Sequence, residues 1–347
     1  MVSIRRIFPE NLIELEKVVH ILEENGLYYE NIVTEIYGVY DSNELIATGS
    51  IYQNVLKMIA VTKAYQGTST INQLVSALLM RSNELELNHL FLYTKPEMTS
   101  KFKYLGFTEV ASTKSVALME NVKNGIQNYL EQLSLESHMT QGQISSIVVN
   151  CNPFTLGHQY LIEKACENSD WLHVFILWED NSYFPSKVRY DLVKKGTSHL
   201  NNVTLHWAKD YIISNATFPG YFLGEEENVI KAQAQLDCEI FGRYIAKRLN
   251  ISKRFIGQEP FNKITALYNK VLLSDLSALG IEVVEIERKA IEEEIVSASK
   301  VRKFISENNW TALKKLVPDT TYDFLISEEA SPIIERIKGT YHINQYV

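Results

Sequence analysis

The chain contains little cysteine and no long apolar run, and both absences limit the classes of protein to which it can belong. Its 347 residues include three cysteines, Cys151, Cys166 and Cys238, which are scattered and lack the spacing of metal ligands. They predict a reducing cytoplasm, with no disulfide framework and no metal held by the protein. No run approaches the roughly 18 apolar residues that cross a membrane, and the N-terminal segment lacks the apolar core of a signal peptide. We therefore expect a cytoplasmic protein without a membrane partner.

A basic excess is also absent. The net charge is −8 and the isoelectric point is about 5.6, whereas proteins that bind polyanions tightly carry a basic excess or a basic cluster. We therefore expect no nucleic-acid partner. Apolar residues make up 46% and charged residues 22% of the chain, which is ordinary for a globular protein. The length is sufficient for about two domains.

Residues 1–122 are predicted to form one α+β domain. Apolar periodicity indicates helices over 10–25 and 70–87, and strands over 35–40, 45–52, 55–61, 89–94 and 115–119. Residues 123–143 follow as a predicted linker. It contains a short helix that is expected to expose the apolar side chains Ile126, Tyr129, Leu130 and Leu133.

The order of these elements resembles the acetyltransferase fold of the GNAT superfamily. The strand over 56–61, the turn Tyr65-Gln66-Gly67 and the segment 104–107 carry the resemblance. In active members this turn is a glycine-rich loop whose N–H groups hold the pyrophosphate of acetyl-CoA. Here Ser69 replaces the second glycine and Ile71 replaces a small residue, and such side chains narrow the approach of a phosphate. We therefore expect a degenerate domain that serves as a scaffold or docks a partner.

From residue 144 onward, predicted strands and helices alternate, and this alternation indicates a parallel α/β sheet. The strands are predicted over 144–150, 172–177, 203–207, 253–257 and 281–286, and the helices over 158–167, 186–200, 229–249 and 263–279. Helical segments near 299–307 and 311–316 follow. Residues 144–347 are therefore predicted to form the second domain, with helices at its C-terminal end.

The first candidate site is the turn after the first of these strands. The polar sequence Asn150-Cys151-Asn152-Pro153-Phe154 leads to Thr155-Leu156-Gly157-His158, where a helix is predicted to begin. The first N–H groups of a helix lack intrahelical partners and the helix dipole is positive there, so an anion can bind. His158 can donate to a phosphate oxygen, and Gly157 lets a phosphate approach the backbone. Alone, the pattern also fits a histidine that only caps the helix.

A second candidate phosphate site lies near the end of the chain. Ser297 and Ser299 are natural N-cap residues of a helix that follows the last predicted strand. Lys300 and Arg302 come early in that helix, where a cation faces the dipole with the wrong sign. An anion at the helix start would explain them, because arginine offers a planar fork for phosphate oxygens and serine hydroxyls add neutral donors. Lys300 also fits a solvated lysine.

Together, TxGH early in this domain and (I/V)SxSxVR late in it resemble the HIGH-type nucleotidyltransferase superfamily, whose HUP-type, Rossmann-like sheet binds ATP between these motifs. The resemblance implies that Thr155 and His158 contact the triphosphate and that His158 stabilises the α-phosphate as its geometry inverts. It implies catalytic roles for Thr155, His158 and Arg302. The implied ATP site comprises Asn150, Cys151, Asn152, Phe154, Thr155, Gly157, His158, Ser297, Ser299, Lys300 and Arg302, with Ser297, Ser299 and Arg302 on the β- and γ-phosphates.

Three further segments are candidates for the rim of the substrate or nucleotide site. Lys187 and Arg189 add two cations at the start of a predicted helix. Gln258 and Glu259 follow a strand end, where α/β ligand crevices form, and Glu259 could bind Mg²⁺ or ribose or be a plain loop carboxylate. The last segment is an aromatic loop that fits a site or a core equally well. It contains Asn215, Thr217, Phe218 and Tyr221.

With the acetyltransferase-like domain in front, the segments NCNPFTLGHQYL, SNATFPGYFL and IVSASKVRKFI resemble the citrate lyase ligase family over nearly the whole chain. The resemblance implies an AMP-forming ligase in which acetate attacks the α-phosphate of ATP, with Mg²⁺ on the nucleotide. The thiol of the phosphoribosyl-dephospho-CoA group on the citrate lyase acyl carrier protein would then take the acetyl group from acetyl-adenylate. Cys151 is interpreted as a packing residue rather than a nucleophile.

Three other functions stay open at this point. A nucleotidyltransferase would move AMP onto a phosphate-bearing small molecule such as a pantetheine phosphate. An acetyltransferase would use acetyl-CoA in the N-terminal domain, with the second domain regulatory. A docking protein for the lyase would use neither site for catalysis.

Overall fold

The computed structural model describes residues 2–137, 141–178, 182–213, 218–260, 262–291 and 294–343. Contacts within the chain divide it into two units. The first unit comprises Met1–Tyr129 and Thr217–Ile240, and the second comprises Leu130–Ala216 and Phe241–Val347. Within the described ranges, no helix is long and apolar enough to cross a membrane.

The first unit is built on a seven-stranded mixed sheet. Its strands are β1 (Val2–Ile7), β2 (Glu35–Asp41), β3 (Glu44–Tyr52), β4 (Val55–Val61), β5 (Phe91–Thr94), β6 (Thr108–Ser112) and β7 (Ala117–Glu120). They lie in the order β1-β2-β3-β4-β5-β7-β6. Strands β4 and β5 pair in parallel, and the other neighbouring pairs are antiparallel.

Helices cover this sheet because their apolar residues recur on one face. On α2, Leu74, Val75 and Leu78 are fully buried at helical spacing and share a core with Ile46 and Phe107. The helices of this unit are α1 (Leu12–Glu24), α2 (Thr70–Glu84), α3 (Thr99–Lys103) and α7 (Glu226–Ile240), while α4 (Gly125–Glu136) runs across the division between the units.

The second unit contains a five-stranded sheet in which every pair is parallel. Its strands are β8 (Ile144–Val149), β9 (Trp171–Ile176), β10 (Val203–Trp207), β11 (Lys253–Gly257) and β12 (Glu282–Ile286). Their order is β10-β9-β8-β11-β12, so the chain builds outward from β8 in one direction and then from β11 in the other. Ligand crevices form at the carboxyl ends of strands where the order reverses, which here is between β8 and β11.

Helices and a short hairpin complete the second unit. The C-terminal helices share a core around Phe184 that includes Val301, Ile305, Leu313 and Ile337. The hairpin pairs β13 (Ala290–Ile291) with β14 (Glu294–Ile295), and a π-helical turn at Phe241–Ala246 follows α7. The helices are α5 (Leu156–Glu167), α6 (Ser186–Gly196), α8 (Lys247–Leu249), α9 (Lys263–Ala278), α10 (Ala298–Ser306), α11 (Trp310–Lys314), α12 (Asp319–Leu325) and α13 (Ser331–Ile343).

The predicted fold class, an α+β unit followed by a parallel-sheet unit, is confirmed. The predicted borders differ, because 217–240 packs with the first unit instead of belonging to a domain over 144–347, and the division falls inside α4. The expectation that the helix in the linker exposes Ile126, Tyr129, Leu130 and Leu133 is wrong, since all four are buried. An apolar helical face of this kind is stable when another element covers it.

Candidate active site

Thr155 caps helix α5, and its hydrogen bonds fix the tautomer of His158. Thr155 Oγ1 accepts the backbone N–H of His158 at 3.4 Å, and the N–H of Thr155 donates to His158 Nδ1 at 3.1 Å. The Thr155 hydroxyl lies 2.9 Å from the same Nδ1. Because Nδ1 accepts, the neutral ring carries its proton on Nε2. His158 therefore offers an Nε2–H donor at the start of the helix.

The environment of His158 keeps the ring neutral. Burial, with the positive charge of Arg288 as a smaller cause, lowers the pKa of His158 to about 4. The ring stacks on Phe154, with the ring centres 6.1 Å apart and the planes 17° from parallel. At pH 7 His158 is therefore a fixed, uncharged hydrogen-bond donor.

The start of α10 lies against the start of α5. A Cβ atom on Gly157 would lie 3.2 Å from the backbone oxygen of Val296, a crowded contact that would push the chain before α10 away by a few tenths of an ångström. From α10, Arg302 Nη1 donates to the backbone oxygen of Asn152 in the turn before α5. The two predicted phosphate motifs are therefore joined by direct contacts.

Within α10, the serines and Arg302 are arranged around the first turn. Ser297 is the N-cap, and its Oγ accepts the N–H of Lys300 at 3.2 Å. Ser299 Oγ accepts from Arg302 Nη2 at 3.1 Å. The Nε of Arg302 is buried and has no hydrogen-bond partner among the described residues. An unpaired buried donor costs about 1–3 kcal/mol, and a phosphate oxygen is the type of acceptor that would satisfy it.

Arg189 supports the turn after β8 from inside the protein. It is fully buried, and its Nη1 donates to the backbone oxygen of Asn150 at 3.0 Å and to Asn150 Oδ1 at 2.7 Å. Its Nε donates to the oxygen of Phe184 at 3.0 Å. The prediction that Arg189 lies on the rim is therefore wrong, because its guanidinium is buried and donates its hydrogen bonds to groups of the protein itself. Lys187 is exposed and pairs with Asp191 at 2.8 Å, so its rim role stays a prediction.

Two other residues assigned to ATP belong to the core. Cys151 and Phe154 are fully buried, so their side chains pack in the core, and a role of these residues in binding ATP stays a prediction for their backbone. Cys151 has φ +56°, a left-handed conformation that is uncommon without glycine and that turns the chain toward α5. Burial raises the pKa of its thiol, which keeps the thiol protonated and supports the packing interpretation. Asn152 shapes the same turn by accepting the N–H of Phe184 at 3.1 Å.

Sequence reasoning missed two cations at the carboxyl edge of the sheet. Arg288 and Lys289 follow β12, as Gln258 and Glu259 follow β11. Arg288 Nε donates to the oxygen of Gln258 at 2.7 Å, and its Nη2 pairs with Glu259. Lys289 Nζ lies 5.7 Å from the centre of the Tyr160 ring on α5. The signal available in the sequence was a basic pair directly after a predicted strand.

The aromatic loop belongs to the first unit. Phe218 and Tyr221 are buried there, with the Phe218 ring centre 5.3 Å from that of Tyr93 and the Tyr221 hydroxyl donating to the oxygen of Tyr93 at 3.4 Å. Of the two roles that this loop fits, core and site, these two rings have the core role, because they pack on β5. Tyr221 also lines a cavity of about 630 Å³ with Gly67 and Ile71 of the turn that resembles the acetyltransferase loop. The candidates Asn215 and Thr217 lie outside the described residues.

Comparison with known proteins points to one family. Residues 144–325 match the family model described as the citrate lyase ligase C-terminal domain. The chain is 38% identical to the [Citrate [pro-3S]-lyase] ligase of Escherichia coli K12 over 318 residues, which cover 90% of each protein. It is 40% identical to the ligase of the same name from Klebsiella pneumoniae over 287 residues, or 81% of this chain and 84% of that protein.

Two solved structures also align with part of the chain. Escherichia coli ElaA aligns over its whole length with 35% of this chain, at 17% identity and a TM-score of 0.30. The ribosomal-protein-S18-alanine N-acetyltransferase of Escherichia coli aligns over 92% of its length, also with 35% of this chain, at 15% identity and a TM-score of 0.29.

Replacing Gly157 with alanine tests the contact between the two motifs. The added methyl group is expected to push against the oxygen of Val296 and to cost about 1–3 kcal/mol of stability, the usual penalty for overpacking. Affinity for ATP should fall because the two helix starts move apart. Thermal unfolding and ATP titration measure both effects. The control is Gly339→Ala, where a Cβ meets nothing within 4 Å. Equal changes in stability and in ATP affinity in the two variants would contradict the role of the contact between Gly157 and Val296.

Replacing Arg189 with alanine tests its structural role. The free energy of unfolding is expected to fall by more than about 3 kcal/mol, because the carbonyl groups that Arg189 satisfies would be left buried and unpaired. Lys187→Ala on the same helix removes only an exposed ion pair and should cost less than about 1 kcal/mol. Denaturant unfolding measures both. A stable Arg189→Ala protein that has lost only ATP affinity would restore the rim assignment.

The low pKa of His158 predicts a pH dependence of stability. In the unfolded chain a histidine titrates near 6.5, so between about pH 6.5 and 4 the unfolded state binds a proton that the folded state does not. The free energy of unfolding should therefore fall as the pH is lowered through this range. His158→Asn should remove this part of the decline, as seen in unfolding curves between pH 4 and 7. Parallel declines in both proteins would contradict the assigned pKa.

Proposed function

The chain belongs to the citrate lyase ligase family, and on this premise we propose that it activates citrate lyase by an ATP-dependent, AMP-forming ligation of acetate. The acceptor is the thiol of the phosphoribosyl-dephospho-CoA group on the lyase's acyl carrier protein. The observation that supports this most strongly is the neutral His158, with its donor on Nε2, at a helix start that contacts the start of α10.

In the first step, a carboxylate oxygen of acetate attacks the α-phosphorus of ATP, and the bond from that phosphorus to the bridging oxygen of pyrophosphate breaks. The products are acetyl-adenylate and pyrophosphate. Acetate is ionised at neutral pH, so this step requires no general base. What it requires is positioning and stabilisation of the charge on the phosphate oxygens. His158 Nε2–H donates to an α-phosphate oxygen, and the capping bonds from Thr155 hold the ring in place.

Negative charge develops on the leaving pyrophosphate. The cations beside His158 would stabilise this charge at the β- and γ-phosphates. Arg302 offers its unpaired Nε–H and Ser299 its hydroxyl. Arg288 lies close enough for its charge to lower the pKa of His158, so it adds positive potential at the same place. Mg²⁺ supplies further charge neutralisation when it enters bound to ATP. No cluster of three His, Cys, Asp or Glu side chains suited to a metal occurs in the part of the chain that the structure describes.

In the second step, the carrier thiol loses its proton to solvent and its sulfur attacks the acetyl carbon of acetyl-adenylate. The bond between that carbon and the phosphate oxygen of AMP breaks. The products are AMP and the acetyl-thioester of the carrier protein. Cys151 does not intervene, because its thiol is fully buried.

Acetate-dependent exchange of labelled pyrophosphate into ATP tests the first step. His158→Asn keeps an acceptor for the N–H of Thr155 but removes the Nε2 donor, and the exchange rate is expected to fall about 100- to 1,000-fold, as when an oxyanion donor is lost. His158→Gln can place an amide donor near the position of Nε2 and should recover part of the rate.

The control for this exchange experiment is His20→Gln, which changes an exposed histidine on α1. It should exchange at the normal rate. Full activity of His158→Asn would remove His158 from the reaction. Pyrophosphate release driven by a phosphorylated small molecule instead of acetate would replace the ligase with a nucleotidyltransferase.

A further inference from the structure

A basic cleft of about 540 Å³ lies beside the first turn of α5, within the second unit. We propose that this cleft binds the phosphate groups of the second, thiol-bearing substrate, and this assignment rests on the proposed function. Its walls come from α5, from the end of α6 and from the segment 314–320. The polar and charged lining residues are Gln159, Lys195, His199, Lys314, Lys315, Asp319 and Thr320.

The charge of the cleft is opposite to that of the whole protein. Three lysines and one carboxylate line it, in a chain whose net charge is −8. Lys195 and Lys314 form no ion pair with a carboxylate in the described part of the chain, whereas Lys164 and Lys187 are paired within their own helices. Lys195 and Lys314 therefore leave two positive charges at this cavity that can attract an anion such as phosphate.

A hydroxyl in the wall of the cleft also lacks a partner. Thr320 Oγ1 is buried and forms no hydrogen bond with any described residue. A buried hydroxyl without a partner carries a desolvation cost. Because Thr320 lines the cleft, we expect this hydroxyl to rotate toward a bound phosphate oxygen and to add a neutral donor to the charges.

The cleft and the proposed ATP site share one helical turn. Leu156 and Gln159 line the cleft, and between them in sequence lie Gly157 and His158 of the ATP motif. Leu156 and Gln159 also connect α5 to the other two walls of the cleft. The Leu156 N–H donates to the oxygen of Leu316 at 2.9 Å, and Gln159 Nε2 donates to the oxygen of Gly196 at 3.1 Å. In a dephospho-CoA group a flexible pantetheine chain separates the diphosphate from the thiol. Anions held in the cleft would therefore leave the thiol free to reach acetyl-adenylate.

The test compares two neighbouring lysines on α6. Lys195 lines the cleft and Lys194 does not, yet both lie in the last turn of the helix and are exposed. Lys195→Glu is expected to raise the KM for the carrier protein at least tenfold, since a charge-assisted bond to phosphate is lost and repulsion is added. Lys194→Glu makes the same change in net charge and should leave this KM within about twofold. Lys195→Ala should give a smaller increase in the same direction.

Acetate-dependent pyrophosphate exchange distinguishes whether the phosphate groups bound in the cleft belong to ATP or to the carrier's prosthetic group. The exchange rate and the KM for ATP should be unchanged in Lys195→Glu, because the cleft serves the second substrate. A raised KM for ATP in this variant would assign the cleft to the nucleotide and overturn the proposal. Equal KM values for the carrier protein in the Lys195→Glu and Lys194→Glu variants would also overturn it.

Binding of dephospho-CoA, measured by calorimetry on the full chain, tests the cleft without turnover. It should weaken at least tenfold in Lys195→Glu and not in Lys194→Glu, and undiminished binding would contradict the proposal. If the unaltered protein shows no acetate-dependent exchange, the proposed function fails. The dephospho-CoA titration still tests the cleft in that case.

Discussion

The site depends on the close contact between the beginnings of two helices that are far apart in sequence. Gly157 in the first turn of α5 lets the backbone at Val296, just before α10, approach to a distance that a Cβ atom would crowd. Arg302 reaches back from α10 to the oxygen of Asn152. Thr155 and Ser297 cap these two helix starts, and each start presents the positive end of a helix dipole. Their meeting where the strand order reverses gives one place in the second unit a strong preference for anions.

Buried groups hold this arrangement from within the protein. Arg189 binds the turn after β8 from within the core, and Cys151 takes an uncommon left-handed conformation in the same turn. Burial and the charge of Arg288 keep the His158 imidazole neutral, and its hydrogen bonds with Thr155 fix which nitrogen can donate. A left-handed backbone at a residue other than glycine costs free energy, and proteins tolerate this cost where the geometry serves function. A preorganised neutral donor stabilises charge that develops during the reaction without first having to be reoriented.

The parts of the site that depend on local chemistry could be predicted from the sequence. Thr155 and Ser297 were recognisable because helix caps follow from residue type and from position before an apolar periodic segment. Arg189 and Arg288 could not be assigned in this way. Burial of an arginine is decided by which carbonyl groups the fold brings around it, and the position of Arg288 depends on strand pairing that joins distant segments. The aromatic loop fitted a core and a site equally well from its sequence for the same reason, since its packing on β5 is a tertiary contact.

The central claim is that acetate itself attacks the α-phosphate in the site formed by α5 and α10. Acetate labelled with ¹⁸O in both carboxylate oxygens tests it most directly. After complete turnover with ATP and the carrier protein, mass spectrometry should find one ¹⁸O atom in each AMP, because the oxygen that joins the acetyl group to the phosphate stays with AMP when the thiol attacks. AMP without the label, or label recovered only in inorganic phosphate, would contradict attack at the α-phosphate.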